Sequence, residues 1–429
     1  MSPKLTVWLL QTGEPLHCDP GNPRPMRAMN LANALANAGH KVVLWSSAFY
    51  HQEKSHRARA STAIRISAHI EIRLIPSPGY VRNIGPARLW DHAVLGYRLA
   101  QELGHEEAPP DVAFIGYPPI EAAAVMTRWL SKRGVPCLLD VKDQWPTIFT
   151  RALPAPIRAL GEVALWPYFY LGRRAMRDAS GIVAMAEEFL QWALAFSGRT
   201  RSEKDRVTPL TTTDARVSEA DLQNARRWWD GLGVPADGRA RVCFIGSHSQ
   251  AFDMNAVATS VSQLAALGQA CEFVFCGDGE SSAQWRRLMS GADNVIFPGW
   301  VDRPQIEALA ERSMASLAPY HNTEDFAMSI PNKVIDALAL GLPVLCPLEG
   351  EVQRLITSHG VGLCYGTAAG ASLSECLVRL LEDRALRLEL STNASRLYRE
   401  QFSFEMVYGG LVTHLEKLAQ ASKLAVRHG

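Results

Sequence analysis

Apolar positions along the chain follow two alternating rhythms. Short, nearly continuous apolar runs at 4–10, 111–115, 136–141, 241–245 and 272–276 have the character of strands covered on both faces. Between them, at 26–38, 88–102, 120–132 and 254–267, apolar residues recur at the spacing of one helix face. Strand and helix take turns in this way through both halves, which predicts an α/β fold with parallel sheets. The pattern pauses over a polar stretch at 211–238 and restarts at 241. The expected organisation is therefore one parallel-sheet domain over 1–210, a linker over 211–238 that includes one helix near Ser218 to Trp229, and a second domain over 239–400. A C-terminal helix over 401–429 is expected to pack back toward the first domain. Two such domains are expected to face each other across a cleft.

The stretch from Met328 to Val344 reads M-S-I-P-N-K-V-I-D-A-L-A-L-G-L-P-V. Ser329 is a candidate cap and Pro331 suits a first helical position. Val334, Ile335, Leu338 and Ala339 repeat at helical spacing, Gly341 ends the helix and Pro343 prevents its return. A helix N-terminus carries unpaired N–H groups and the positive end of the dipole, and Lys333 adds a full charge on the first turn. That combination is an anion site, with diphosphate as a natural occupant. The plain alternative is an ordinary αβ unit with a surface lysine.

Composition narrows the field only in places. Hydrophobic residues make up 47% and charged residues 20%, so the chain is globular. The net charge is +1, but residues 1–210 hold 25 Lys and Arg against 18 Asp and Glu, and the remainder reverses the balance. A basic first half suggests an anionic partner there. The basic charge is diffuse and no reading helix or finger motif accompanies it, so nucleic acid is not expected. The eight cysteines are scattered without metal-ligand spacing, which suits buried thiols in a reducing compartment. The apolar run at Leu5 is too short for a leader peptide, and no apolar run reaches the length of a membrane span. A cytoplasmic location follows as the expectation, with the inner face of the cytoplasmic membrane as an extension of it.

In the first half, Arg24 and Arg27 flank the start of the first helix, after a loop at a strand's C-terminal end. They are candidates for holding phosphate or carboxylate, with solvated surface arginines as the alternative. The strand at 136–141 runs into D-V-K-D-Q-W-P, which puts Asp143 where parallel sheets carry chemistry, or makes it a turn cap. Residues 151–179 are aromatic and basic. They could rest on an anionic membrane as an amphipathic element, or form a core helix with a solvated arginine end.

Further residues bring in a resemblance. F-I-G-S at 244–247, C-G-D-G-E at 276–280, P-G-W-V at 298–301 and the 329–344 stretch resemble the C-terminal domain of family-four glycosyltransferases. G-H-K-V at 39–42 and D-V-K-D-Q-W-P at 140–146 resemble the N-terminal domain of the same family, and the likeness is nearest to the branch that builds bacterial surface polysaccharides. The resemblance implies the GT-B fold, two Rossmann-like domains, and a retaining transfer from a nucleoside diphosphate sugar to a glycan or lipid-linked acceptor. A hexosyl or N-acetylhexosaminyl group is the implied cargo. It places the diphosphate at Lys333 and the N–H groups after Ser329, including Ile330 and Asn332. It places the base at Val301, the ribose at Asp336, and the glycine turns near the donor at Gly246, Ser247 and Gly277.

Two departures stand out. The family often carries two glutamates seven residues apart, and here those positions are Met328 and Asp336. Asp336 still offers a carboxylate to a diol, whereas Met328 does not, leaving Glu324 or Asp325 as substitutes. The family's glycine-rich N-terminal loop is here Pro20-Gly21-Asn22-Pro23-Arg24-Pro25. With no Asp-x-Asp pair in a suitable loop, no metal and no cofactor are expected. Lys333 and Arg27 would carry the leaving group's charge, and Asp143 would make a polar contact to sugar or acceptor. A sugar-nucleotide 2-epimerase of the same architecture, or a non-catalytic sugar-nucleotide-binding subunit, are the alternatives.

Overall fold

The computed structural model describes residues 4–21, 23–83, 85–151, 153–212, 217–366 and 370–428, without the side chains of 324, 325 and 425–428. The chain divides into two compact units, one of residues 1–209 with 407–429, the other of 210–406. The C-terminal helix Gly410–His428 is thus part of the first unit, where Glu416 meets His40 at 3.1 Å and Lys423 meets Asp111 at 2.7 Å.

The first unit is built on β1 (Thr6–Leu10), β2 (Lys41–Ser47), β6 (Ile70–Ile75), β7 (Val112–Tyr117), β8 (Cys137–Val141), β9 (Gly181–Ala184) and β10 (Arg206–Val207). They form a parallel sheet in the order β10-β9-β8-β7-β1-β2-β6, and β5 (Thr62–Arg65) joins β6 antiparallel at the edge. A two-stranded hairpin, β3 (Phe49–Tyr50) with β4 (Ser55–His56), stands apart. The central strand β1 is buried over most of its length because helices cover both faces of the sheet. Trp8 stacks on Trp129 at 5.2–5.3 Å from both Trp129 and Trp45, in parallel and edge geometry respectively. Trp8 and Trp45 are buried, Trp129 half-buried, and fully buried apolar neighbours such as Leu9 contribute on the order of 1.5–3 kcal/mol each.

The second unit holds β11 (Ala240–Ile245), β12 (Cys271–Cys276), β13 (Val295–Gly299), β14 (Ala315–Leu317), β15 (Val344–Cys346) and β16 (Gly362–Cys364). All pairings are parallel and the order is β13-β12-β11-β14-β15-β16. The order reverses direction at β11 and β14. An open sheet of this kind leaves a crevice at that reversal, outside the carboxyl ends of the strands.

The polar stretch 211–238, read as a linker, contains the helix Glu219–Gly231. Its Trp229 is fully buried against Cys243, Val274 and Leu309 in a core cluster of the second unit. The contact division accordingly places this stretch in that unit. Leu222, Ala225 and Trp229 are its inward face, hidden in the sequence by the charged residues between them.

Candidate functional site

The crevice at the β11–β14 reversal collects the glycine turns and Lys333. β11 ends at Ile245, and Gly246 turns the chain with φ 140°. The next turns are tied to it through the backbone. Gly246 N donates to Cys276 O at 3.0 Å, Gly277 N to Gly299 O at 2.7 Å and His248 N to Asp278 O at 2.9 Å. From the other side, the chain after β14 meets the chain after β11 in a Phe252–Tyr320 bridge. Asp253 N donates to Pro319 O at 2.7 Å and His321 N to Ala251 O at 2.9 Å. The loops that frame the crevice are therefore fixed by main-chain bonds, which is what preorganisation requires.

Lys333 reaches into this frame from the helix Asn332–Ala339. Its Nζ donates to Ile245 O, sits 4.1 Å from the centre of the Phe244 ring and 5.1 Å from that of Phe252. Gly246 must lack a side chain here, because a Cβ would run into the Lys333 ammonium. Gly277 must too, because its Cβ would strike Gly246 O. So Lys333, Gly246 and Gly277, distant in sequence, occupy one place.

The helix begins differently from the sequence expectation. Pro331, not Ser329, is the N-cap, so it precedes the first helical residue, and it offers no side-chain cap bond. Proline fits the cap because it has no N–H to leave unpaired. Lys333 is then the second helical residue, and its own amide is bonded to the Tyr320 oxygen. Burial chiefly, with smaller contributions from Cys346 and Asp336, pushes the Tyr320 phenol upward, so it stays neutral. Asp336 lies one turn along, half-buried. Ser329 and Ile330 are half-buried ahead of the helix, and Asn332 is exposed at its start. Ser247 follows the Gly246 turn. Val301 follows β13, next to the Asp302–Gln305 capping box that opens the helix Arg303–Ala310. Met328 is half-buried, and the side chains of Glu324 and Asp325 lie outside the described residues.

Sequence reasoning passed over the aromatic floor of this crevice. His248 stacks on Trp285 at 4.2 Å and its Nδ1 pairs with Ser282 Oγ at 2.9 Å. Burial lowers its pKa, so a neutral imidazole backs the Gly246 turn. The available signal was F-I-G-S-H itself, a histidine two residues beyond a strand-ending glycine.

Arg27 has a different partner from the one expected. It is 4% exposed, and its Nε and Nη2 each donate to Asp140 at 2.8 Å in a two-bond fork. Nη1 donates to Thr208 O and Pro209 O at 3.1 and 3.3 Å. Burial alone would lower its pKa, but Asp140, with Tyr408 and Glu14, holds it above its ordinary value. The guanidinium therefore ties β8, β10 and the first helix together inside the first unit. Beside it, Glu14 Oε2 accepts from Ala28 N at 2.9 Å, so a carboxylate of the chain itself fills the N-terminus of the helix Arg27–Asn37. Lys142 contacts Glu14 and donates to Gln11 Oε1 at 2.9 Å. Asp143 follows β8, half-buried, and its Oδ1 accepts from Gln144 N at 2.8 Å, a turn-cap contact. Arg24 is exposed in the preceding loop, of which Asn22 lies outside the described residues. Lys333 and the glycine turns belong to the second unit, Arg27 and Asp143 to the first.

Among the described residues, no cluster of three or more His, Cys, Asp or Glu could hold a metal ion. Nor, among them, is any helix long and apolar enough to cross a membrane. The eight cysteines are all free thiols, six of them buried.

Comparison with known proteins meets this geometry from two sides. Residues 26–211 match the family model described as "Glycosyl transferase 4-like domain", and residues 239–383 match "Glycosyl transferases group 1". The 2-deoxystreptamine glucosyltransferase of Streptomyces kanamyceticus is 22% identical over 250 residues, covering 57% of this chain and 62% of that enzyme. The match thus spans less than two thirds of that relative's length. Sucrose-phosphate synthase from Thermosynechococcus elongatus superposes with TM-score 0.66 at 15% identity, covering 97% of this chain and 100% of that one. Anabaena Alr3699/HepE in complex with UDP-glucose superposes with TM-score 0.60 at 15% identity, covering 97% and 99%. The fold is that of the GT-B glycosyltransferases, with two Rossmann-like domains.

Proposed function

We propose, taking the chain as a glycosyltransferase of the GT-B fold, that it moves a sugar from a nucleoside diphosphate sugar to a glycan or lipid-linked acceptor with retention of configuration. The observation that carries this reading is the Lys333 ammonium held at the Gly246 turn, where the second sheet reverses. The relative named for glucosyl transfer and the neighbour solved with UDP-glucose favour a nucleotide sugar. As the bond from the sugar carbon to the phosphate oxygen breaks, the electron pair leaves with the oxygen. The negative charge that grows there is met by a fixed cation and by the positive end of the helix dipole. The acceptor's hydroxyl oxygen bonds to the sugar carbon on the face that the phosphate leaves, which gives retention, and the leaving phosphate takes the hydroxyl proton. Asp336, one turn along, takes the ribose hydroxyls, and Val301 the base. Incubation with a panel of nucleotide sugars and acceptors, followed by product analysis, tests the reading. Epimerised donor, or binding with no product across the panel, would overturn it.

Two expectations follow for the donor site. Activity should persist in EDTA, because Lys333 and the helix N-terminus serve the leaving group. Complete loss that magnesium or manganese restores would contradict this. Asp336→Asn should raise KM several-fold with kcat nearly unchanged, since ribose contacts do not change during the reaction. A fall in kcat with constant KM would move Asp336 to the reacting end.

The acceptor side has a second feature. Ile157, Leu160, Val163, Trp166 and Tyr170 are 43–68% exposed and recur every three to four residues from the turn Ala155–Ile157 through the helices Arg158–Ala164 and Trp166–Asp178. Arg173 and Arg177 are turned elsewhere, onto Phe196 O and Ser197 O at the end of the helix Glu187–Ser197. An anionic membrane surface would take the apolar row, with exposed Arg158 among the headgroups. Replacing Leu160, Val163 and Trp166 by Ser should weaken sedimentation with anionic vesicles at least fivefold. Unchanged sedimentation would remove the membrane contact from the proposal.

A further inference from the structure

The first unit contains a cavity that the donor chemistry does not use. It has a volume of about 550 Å³ and is lined by His56, Ala58, Arg59, Pro76, Ser77, Pro78 and Arg98. Three elements build it: the chain around the β3–β4 hairpin, the turn after β6 and the helix Pro86–Gly104. It opens at the carboxyl end of β6, the edge at which parallel sheets hold ligands.

Its lining is basic and has no carboxylate. Arg98 is anchored through Nη1 to Pro76 O at 3.0 Å. His56 Nε2 lies 3.0 Å from Ser77 O, and Ser77 Oγ is 3.1 Å from Ser47 Oγ. Among the described residues, neither arginine has an acidic partner, and Arg59 makes no hydrogen bond. Elsewhere in the same region the charges are matched: Arg57 is bound to Asp19, and Arg73 to Glu71 and Glu106. Of the eight Lys and Arg over residues 49–98, Arg59 and Arg98 are the two that line the cavity. Two guanidinium groups with no carboxylate on them, an imidazole and a serine hydroxyl match a phosphate, which takes forked bonds from arginine. The volume leaves room for a sugar ring beside it.

We propose that this cavity binds the phosphate of a phosphorylated acceptor, either a soluble sugar phosphate or a phosphorylated lipid headgroup. The proposal rests on the glycosyltransferase reading for the word acceptor; the phosphate chemistry rests on the cavity alone. Calorimetry on the full chain tests it with glucose 6-phosphate, glucose and UDP as probes. Glucose 6-phosphate should bind saturably, and glucose at least tenfold more weakly. Arg59→Gln, which removes no contact of the fold, should weaken glucose 6-phosphate binding about fivefold. The Arg59→Gln/Arg98→Gln double variant should weaken it more than tenfold, with UDP binding unchanged. Loss of sedimentation with phosphatidic acid vesicles in the double variant would identify a headgroup as the natural source; retained sedimentation would identify the soluble sugar phosphate.

Unchanged glucose 6-phosphate affinity in both variants, equal affinity for glucose, or no saturable binding to the parent protein would each overturn the site. Glucose 6-phosphate binding abolished by Lys333→Ala but not by the arginine variants would place the phosphate at the donor crevice and also overturn it. Failure of UDP to bind the parent protein would count against the donor reading and leave the cavity's own result standing.

Discussion

Lys333→Ala should lower kcat by about a hundredfold, the usual loss when one fixed stabiliser of a growing oxyanion is removed. The ammonium is positioned by three things at once. Its backbone is on the first turn of a helix, its Nζ is bonded to Ile245 O, and the rings of Phe244 and Phe252 lie beneath it. A cation held this way costs little reorganisation when charge develops. The binding of nucleoside diphosphate should weaken less than turnover, because the positive end of the helix dipole remains. Lys333→Arg should not restore the rate, since a planar guanidinium is bulkier than an ammonium and Gly246 leaves no spare room. Steady-state kinetics with circular dichroism to verify folding measures both variants. A folded Lys333→Ala protein with near-normal turnover would make the helix merely structural and remove the donor phosphates from this crevice.

Much of this crevice could be read from sequence because its parts are local. A strand that ends in glycine, or a proline–lysine helix start followed by Gly341, can be seen within a few residues. The identity of Pro331 as the cap could not, because the choice between cap and first helical position depends on where the preceding chain enters. What joins the parts is long-range. The Lys333–Ile245 contact spans 88 residues, and Arg27 meets Asp140 across 113. A loop-flanking arginine has the same local appearance whether it faces solvent or a buried aspartate. The fork to Asp140 arises only when β8 and the first helix are brought together. In the stretch 211–238 the helix near 218–229 could be read, but the face it buries could not. That face is narrow, Leu222, Ala225 and Trp229, and its partners Cys243, Val274 and Leu309 come from elsewhere in the chain. The hairpin at 49–56 and the edge strand β5 are short and largely polar, and they yield little periodic signal. The hairpin and the residues just after it supply His56, Ala58 and Arg59 to the basic cavity, which is why that cavity could not be anticipated.

Gly246→Ala should have an effect comparable to that of Lys333→Ala on turnover, and Gly277→Ala should show why the two glycines differ. At Gly246 the new Cβ would meet the far end of a flexible side chain, the Lys333 ammonium, with Cε 3.3 Å away. The lysine can swing aside, so folding survives, but the cation leaves its position. The φ of 140° adds strain on the order of 1–3 kcal/mol for an L side chain. At Gly277 the Cβ would meet backbone, with Gly246 O in direct conflict and Gly246 C at 2.8 Å. Backbone can yield only by moving β11 from β12, whose loops are linked through Gly246 N and Cys276 O. Gly277→Ala should therefore lower the melting temperature more than Gly246→Ala, while Gly246→Ala should lose at least thirtyfold in kcat. A double-mutant cycle separates displacement of Lys333 from any other route. If Gly246→Ala acts through the ammonium, it should add little to the loss already present in Lys333→Ala. Fully multiplicative losses would mean that the glycine serves the donor by its own backbone, with the lysine acting independently.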